Sequence, residues 1–142
     1  AVMQAVVARL SAAPALVDGG VHRARRRPLP DSVSGMINVY LGGSLPTRGS
    51  IVGAPIDWIT AVRLEAIARG DASTTGDQAA LALHQKAWER LFGTPSLDGL
   101  VMDMEPGAIV SDEDEADTQI GVVTGTVQVM HRTAAYSLEP QP

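Results

Sequence analysis

The chain has 142 residues, a net charge of −5 and no cysteine. That length suits one domain, and a chain of about 150 residues buries roughly 68–70% of its unfolded surface without needing a staple. The missing cysteines exclude disulfides and thiolate metal sites, the acidic balance disfavours wholesale nucleic-acid binding, and two tryptophans, two tyrosines and one phenylalanine are too few for a base-stacking surface.

No apolar run approaches the ~18 residues of a membrane span. The start lacks a basic segment followed by a long apolar core, so no signal peptide is expected. Met3, Val6, Val7 and Leu10 recur at helical spacing among alanines and predict an amphipathic helix ended by Pro14. Asp18-Gly19-Gly20 reads as a turn. Val21–Arg27 follows with four arginines and reads as an edge strand, since charge protects an edge from mispairing. His22 has no histidine or carboxylate at ligand spacing and reads as an ordinary turn or strand residue.

Met36–Leu41 reads as a strand closed by Gly42-Gly43. No Lys-Ser/Thr pair follows those glycines, so they are not a phosphate loop. Ser44–Pro55, rich in glycine and proline, reads either as a mobile loop or as a hairpin with its tip at Thr47-Arg48-Gly49. Ile51 and Val52 within it either pack back on the sheet or belong to an arm that orders against a neighbour. Ile56–Arg69 is the strongest signal of the chain. Ile56, Trp58, Thr60, Val62, Leu64, Ala66 and Ala68 alternate with Asp57, Ile59, Ala61, Arg63, Glu65, Ile67 and Arg69. One face is apolar or small and the other is mixed, as a half-buried strand requires.

Asp77 is expected to cap a helix over Gln78–Phe92, with Gly93 at its end. Leu81, His84, Trp88 and Leu91 form its expected buried stripe, which makes His84 a core histidine. Ser96–Leu100 reads as a helical turn, Val101–Glu105 and Ala108–Val110 as strands, and Pro106-Gly107 as the turn between them. Asp112, Glu113, Asp114, Glu115 and Asp117 form an acidic connection. A calcium loop is not expected, because its glycine and final glutamate positions hold Asp117 and Val123. Ile120–Thr133 alternates like Ile56–Arg69, and the two are expected to pair antiparallel. The expected core is Val6, Leu10, Val39, Trp58, Val62, Leu64, Leu81, Trp88, Leu91, Val127 and Val129.

The sum is an α+β domain over residues 1–133, with a mixed or antiparallel sheet, two long strands and two main helices, followed by a flexible tail at 134–142. Neither His22, His84 nor His131 has a nucleophile or carboxylate placed by spacing to make an active site. No metal, cofactor or catalytic residue is expected, although a small enzymatic, ligand-binding or adaptor domain is the competing reading.

The succession of elements resembles the tail-terminator proteins of long-tailed bacteriophages, of the minor tail protein U type, over about residues 3–133. The likeness rests on Ile37-Asn38-Val39-Tyr40-Leu41-Gly42, on Trp58–Glu65, on Trp88–Leu100 and on the acidic turn Asp112–Asp117 before the last strand. It implies a structural, non-catalytic protein of the virion tail, assembled in the bacterial host cytoplasm as a homo-oligomer, a hexameric ring. Its implied partners are the tail-tube protein and the head-connector protein, with no membrane and with DNA only as cargo passing through the lumen. A head-to-tail ring sets different surfaces of neighbouring copies together. Arg23, Arg25, Arg26, Arg27, Arg48, Ile51, Val52, Asp112, Glu113, Asp114 and Glu115 are therefore the candidate interface.

Overall fold

β-Branched and small residues alternating over fourteen positions hold residues 56–69 extended, and that strand is the middle of the sheet. A computed structural model describes residues 2–23, 29–30, 32–47, 54–94, 96–97, 99–113 and 119–134, with the backbone alone for Asp112 and Glu113. Two helices, α1 (Val2–Ser11) and α2 (Gly76–Phe92), accompany five strands: β1 (Val21–Arg23), β2 (Gly35–Thr47), β3 (Ile56–Arg69), β4 (Asp103–Glu113) and β5 (Ile120–Thr133). The sheet order is β1-β2-β3-β5-β4, with β1 parallel to β2 and every other pair antiparallel. The α+β fold with a mixed sheet agrees with the sequence reading.

β3 and β5 pair without interruption from Ile56↔Thr133 to Arg69↔Ile120. Thr60, Val62, Leu64, Ala66 and Ala68 of β3 are buried. With Ile37, Val39, Val123, Val127 and Val129 they form the sheet side of a core closed by Val6 and Leu10 of α1 and Ala80, Ala87 and Leu91 of α2. Both helices therefore lie on one face. On the opposite face a small second cluster joins Leu29, Met36 and Ile120. Complete burial of a leucine- or valine-sized side chain contributes about 1.5–3 kcal/mol, so the burial of β2 at residues 35–39 and of the helix-facing side of β3 anchors the fold.

α1 ends in carbonyls that need partners. Arg90 of α2 supplies them, donating to the carbonyls of Leu10 (3.2 Å), Ala12 (2.7 Å) and Pro14 (2.7 Å). Arg9 returns the contact, donating to the Arg90 carbonyl at 3.0 Å.

Several expectations are corrected. The cap of α2 is Thr75, not Asp77: Thr75 and Gln78 form a reciprocal capping box with both bonds at 3.2 Å, and Asp77 falls in the first turn. The buried stripe of α2 is Ala80, Leu83, His84, Ala87 and Leu91, while Leu81 is 53% exposed. The helix is rotated because it lies close to the sheet at Gly121 and Gly125, and small side chains allow that approach. Trp88 is only half-buried, stacked between His84 and Phe92 at centroid distances of 5.3 and 5.0 Å. Trp58 is half-buried too, because its indole N–H reaches Thr133 Oγ1 at 2.8 Å.

Gly42-Gly43 does not close β2. The strand runs on to Thr47 through a bulge between Leu41 and Gly43, where Gly43 takes φ 136°. Residues 44–47 are thus strand, and the hairpin alternative holds as far as Thr47↔Asp57; its expected tip, with Arg48, Ile51 and Val52, lies outside the described residues. Pro106-Gly107 is likewise a bulge within one strand, β4, rather than a turn between two. An edge strand tolerates that proline because its N–H is not needed by a second neighbour.

Candidate interaction surface

β2 has two unlike halves. Residues 35–39 are buried, whereas every residue from 41 to 47 is exposed. Among the described residues β1 covers β2 only at residues 37–39, and the far half of β2 pairs with β3 alone. On the face turned away from the helices, Leu45 stands opposite Ile59, and Ile59 stands opposite Met130. Leu45 is 74% exposed, and Ile59 is exposed with it; Leu41, exposed as well, stands opposite Val62 on the other face. A trough of about 340 Å³ runs beside this row, lined by Gly42, Gly43, Leu45, Ile59, Ala61 and Gln128. The glycines and Ala61 leave the depth that larger side chains would fill.

Polar groups stand further along β3 in both directions from Ile59 and Ala61. Arg132 donates through Nε to Asp57 Oδ1 at 2.7 Å and through a terminal nitrogen to Oδ2 at 3.3 Å. That bond, with the guanidinium charge, holds the Asp57 carboxyl below the usual carboxylate range and raises Arg132. Glu65 accepts from Asn38 (3.1 Å) and from the Tyr40 hydroxyl (3.2 Å).

At the root of the arm the hydroxyls of Ser44 and Thr60 lie 2.8 Å apart, and Thr60 Oγ1 lies 2.8 Å from His131 Nε2. His131 is buried, and burial depresses its pKa. Its Nδ1 has no hydrogen-bond partner, and Thr60 is itself buried. A histidine without an orienting carboxylate, next to a hydroxyl that solvent cannot reach, ties strands together rather than activating a nucleophile. His84 is also in the core; its ring bonds the Leu64 backbone and stacks on Trp88, and burial lowers its pKa. Nowhere among the described residues do three His, Asp or Glu side chains gather as a metal site.

A second surface is the far edge of the sheet. Among the described residues β4 has β5 as its single neighbour, and Ile109 and Val110 are 51% and 60% exposed. Its sequence carries Asp103, Glu105, Asp112 and Glu113 and no basic residue.

Of the residues expected at an interface, Arg23 is exposed at the end of β1, one outer edge of the sheet. Asp112 and Glu113 end β4, the opposite outer edge. The fold therefore sets these three far apart on one subunit. Arg25, Arg26, Arg27, Arg48, Ile51, Val52, Asp114 and Glu115 lie outside the described residues. The sequence reading overlooked Leu41, Leu45, Ile59, Ile109 and Val110. Ile59 carried a signal, since it is a large apolar residue on the mixed face of β3. Leu45 was hidden by the bulge in β2, which made that strand look shorter than it is, and Leu41, Ile109 and Val110 stood in expected strands whose exposure depends on the sheet order.

No protein-family model matches the chain, and no curated protein matches it in sequence.

Proposed function

We propose that this chain is a structural subunit of the tail-terminator type, which forms a hexameric ring on the end of a phage tail tube, stops tube growth and offers the joint to the head connector. The observation that carries the reading is the exposed arm of β2 and β3. An apolar row of Leu45 and Ile59, set beside an open trough, suits docking on another protein surface. Paired strands present it, and the Asp57–Arg132 pair, two residues along from Ile59 and Met130, gives it polar register. In the assembled tail the arm contacts the tube subunit, and DNA passes through the lumen without sequence-specific contact.

Purified chain added to polymerising tail-tube subunits, viewed by electron microscopy, tests this. Tubes of limited length with a ring at one end are the expected result. Leu45→Lys with Ile59→Lys leaves the subunit folded and removes the cap. Tubes that grow to the same length with and without the chain, and bear no ring, would overturn the proposal.

A further inference from the structure

We propose that copies of this chain associate edge to edge, the outer edge of β4 pairing antiparallel with β1 of a second copy so that the sheet continues from subunit to subunit. This goes beyond the tail reading, because it concerns the chain alone and stands if that reading fails.

An edge strand offers a row of backbone N–H and C=O groups to any strand that fits. β4 is eleven residues long, and its acids sit at its two ends. Between them lies the uncharged stretch 106–111, with Ile109 and Val110 open to solvent. A second β4 is a poor occupant. Antiparallel pairing centred on that stretch sets Glu105 against Asp112 of the other copy, and like charges directly opposite are destabilising. The fitting strand is uncharged or basic where it meets that stretch.

β1 meets each requirement. Among the described residues it spans Val21–Arg23, carries exposed Arg23, has β2 as its one strand neighbour and contains no acid. Its direction and level also fit. β1 is parallel to β2, β2 and β5 are each antiparallel to β3, and β4 is antiparallel to β5, so β4 runs antiparallel to β1. A rotation about an axis along the strands preserves strand direction, so β4 meets the next copy's β1 as an antiparallel ladder. The registers form one continuous row across the subunit: Val21, Ile37, Ala66, Val123, Ser111. The next rows carry His22 to Val110 and Arg23 to Ile109. Without any rise between copies, the second copy's Val21, His22 and Arg23 fall level with Ser111, Val110 and Ile109, inside the uncharged stretch. The contact is heterologous, so it closes into a ring when the rotation permits. Arg23 then lies between the acids at either end of β4, an attraction that steers the contact and weakens with salt.

Light scattering at rising concentration reads the association of the purified chain. It should rise with concentration in the parent and be lost in Ile109→Lys with Val110→Lys. Leu81→Lys, which puts the same charge on a comparably exposed leucine of α2, should leave it intact. All three positions are exposed, so unchanged melting of each variant shows that folding is not the cause of a loss. Arg23→Glu should reduce association at low salt. Amides of β1 and β4 should gain hydrogen-exchange protection as concentration rises. A chain that stays monomeric at every concentration overturns the inference, as does an oligomer dissolved by Leu81→Lys or Leu45→Lys but not by the β4 pair. Association indifferent to Arg23→Glu at low salt overturns the choice of β1 as the partner edge.

Discussion

Gly76 and Gly121 meet backbone to backbone: a Cβ on either one would collide with the main chain of the other segment. The first turn of α2 therefore rests directly on the start of β5. Gly121→Ala forces the two apart, and overpacking of this kind costs about 1–3 kcal/mol. Chemical denaturation should show that loss, and an unchanged midpoint would mean that the helix end lifts freely.

Arg90 joins the two helices by a single guanidinium that serves three carbonyls of the chain leaving α1. Arg90→Ala should lower stability by about 1.5–3 kcal/mol, the range for hydrogen bonds to charged groups. Lys at this position should recover only a minor part, because an ammonium cannot reach three separated acceptors with a planar fork. Urea unfolding of the two variants distinguishes a fork from a mere charge.

The rotation of α2 separates its leucines. Leu91 is fully buried, and Leu91→Ala should cost about 2–5 kcal/mol. Leu81→Ala should stay within about 0.5 kcal/mol of the parent, as for an exposed position. Equal losses at the two sites would contradict the observed face of the helix.

Acid should weaken the fold in two stages. Burial depresses His84 and His131 below the ordinary histidine value of about 6.5. Below that value the unfolded chain takes up protons that the folded chain refuses, so stability is full above it and falls as pH drops toward the depressed folded values. His131→Gln should flatten part of that slope in denaturation measured at a series of pH values. Asp57, held low by Arg132, and Asp18, held low chiefly by the Ser34 backbone N–H, lose their contributions only at lower pH, below about 3.9. Both are exposed, so salt should blunt that second stage.

β3 and β5 were legible to the residue because alternation over fourteen positions has one structural solution. α1 was legible for the same reason at helical spacing. Glycine pairs and Pro-Gly were not, since the same residues end a strand or bulge it, and the choice belongs to the neighbouring strand. Opposite Gly42-Gly43, β3 continues unbroken, and the ladder carries β2 with it. The face of α2 was readable only to within a turn, because the close approach at Gly121 and Gly125 is a property of β5. For the candidate surface, composition located the charge blocks but could not say that β1 and β4 are opposite edges. That follows from β5 inserting between β3 and β4.

The same insertion sets a schedule for synthesis. β4 leaves the ribosome before β5, yet β5 is its one strand neighbour and also one of the two neighbours of β3. Until residues 120–133 emerge, β3 has a single strand partner and β4 has none among the described residues. The sheet can close only after residues 120–133 have been made, through contacts distant in sequence, which fold slowly. During that interval the nascent chain exposes apolar strands, and β4 waits with charged residues at both ends, which guard it against premature pairing.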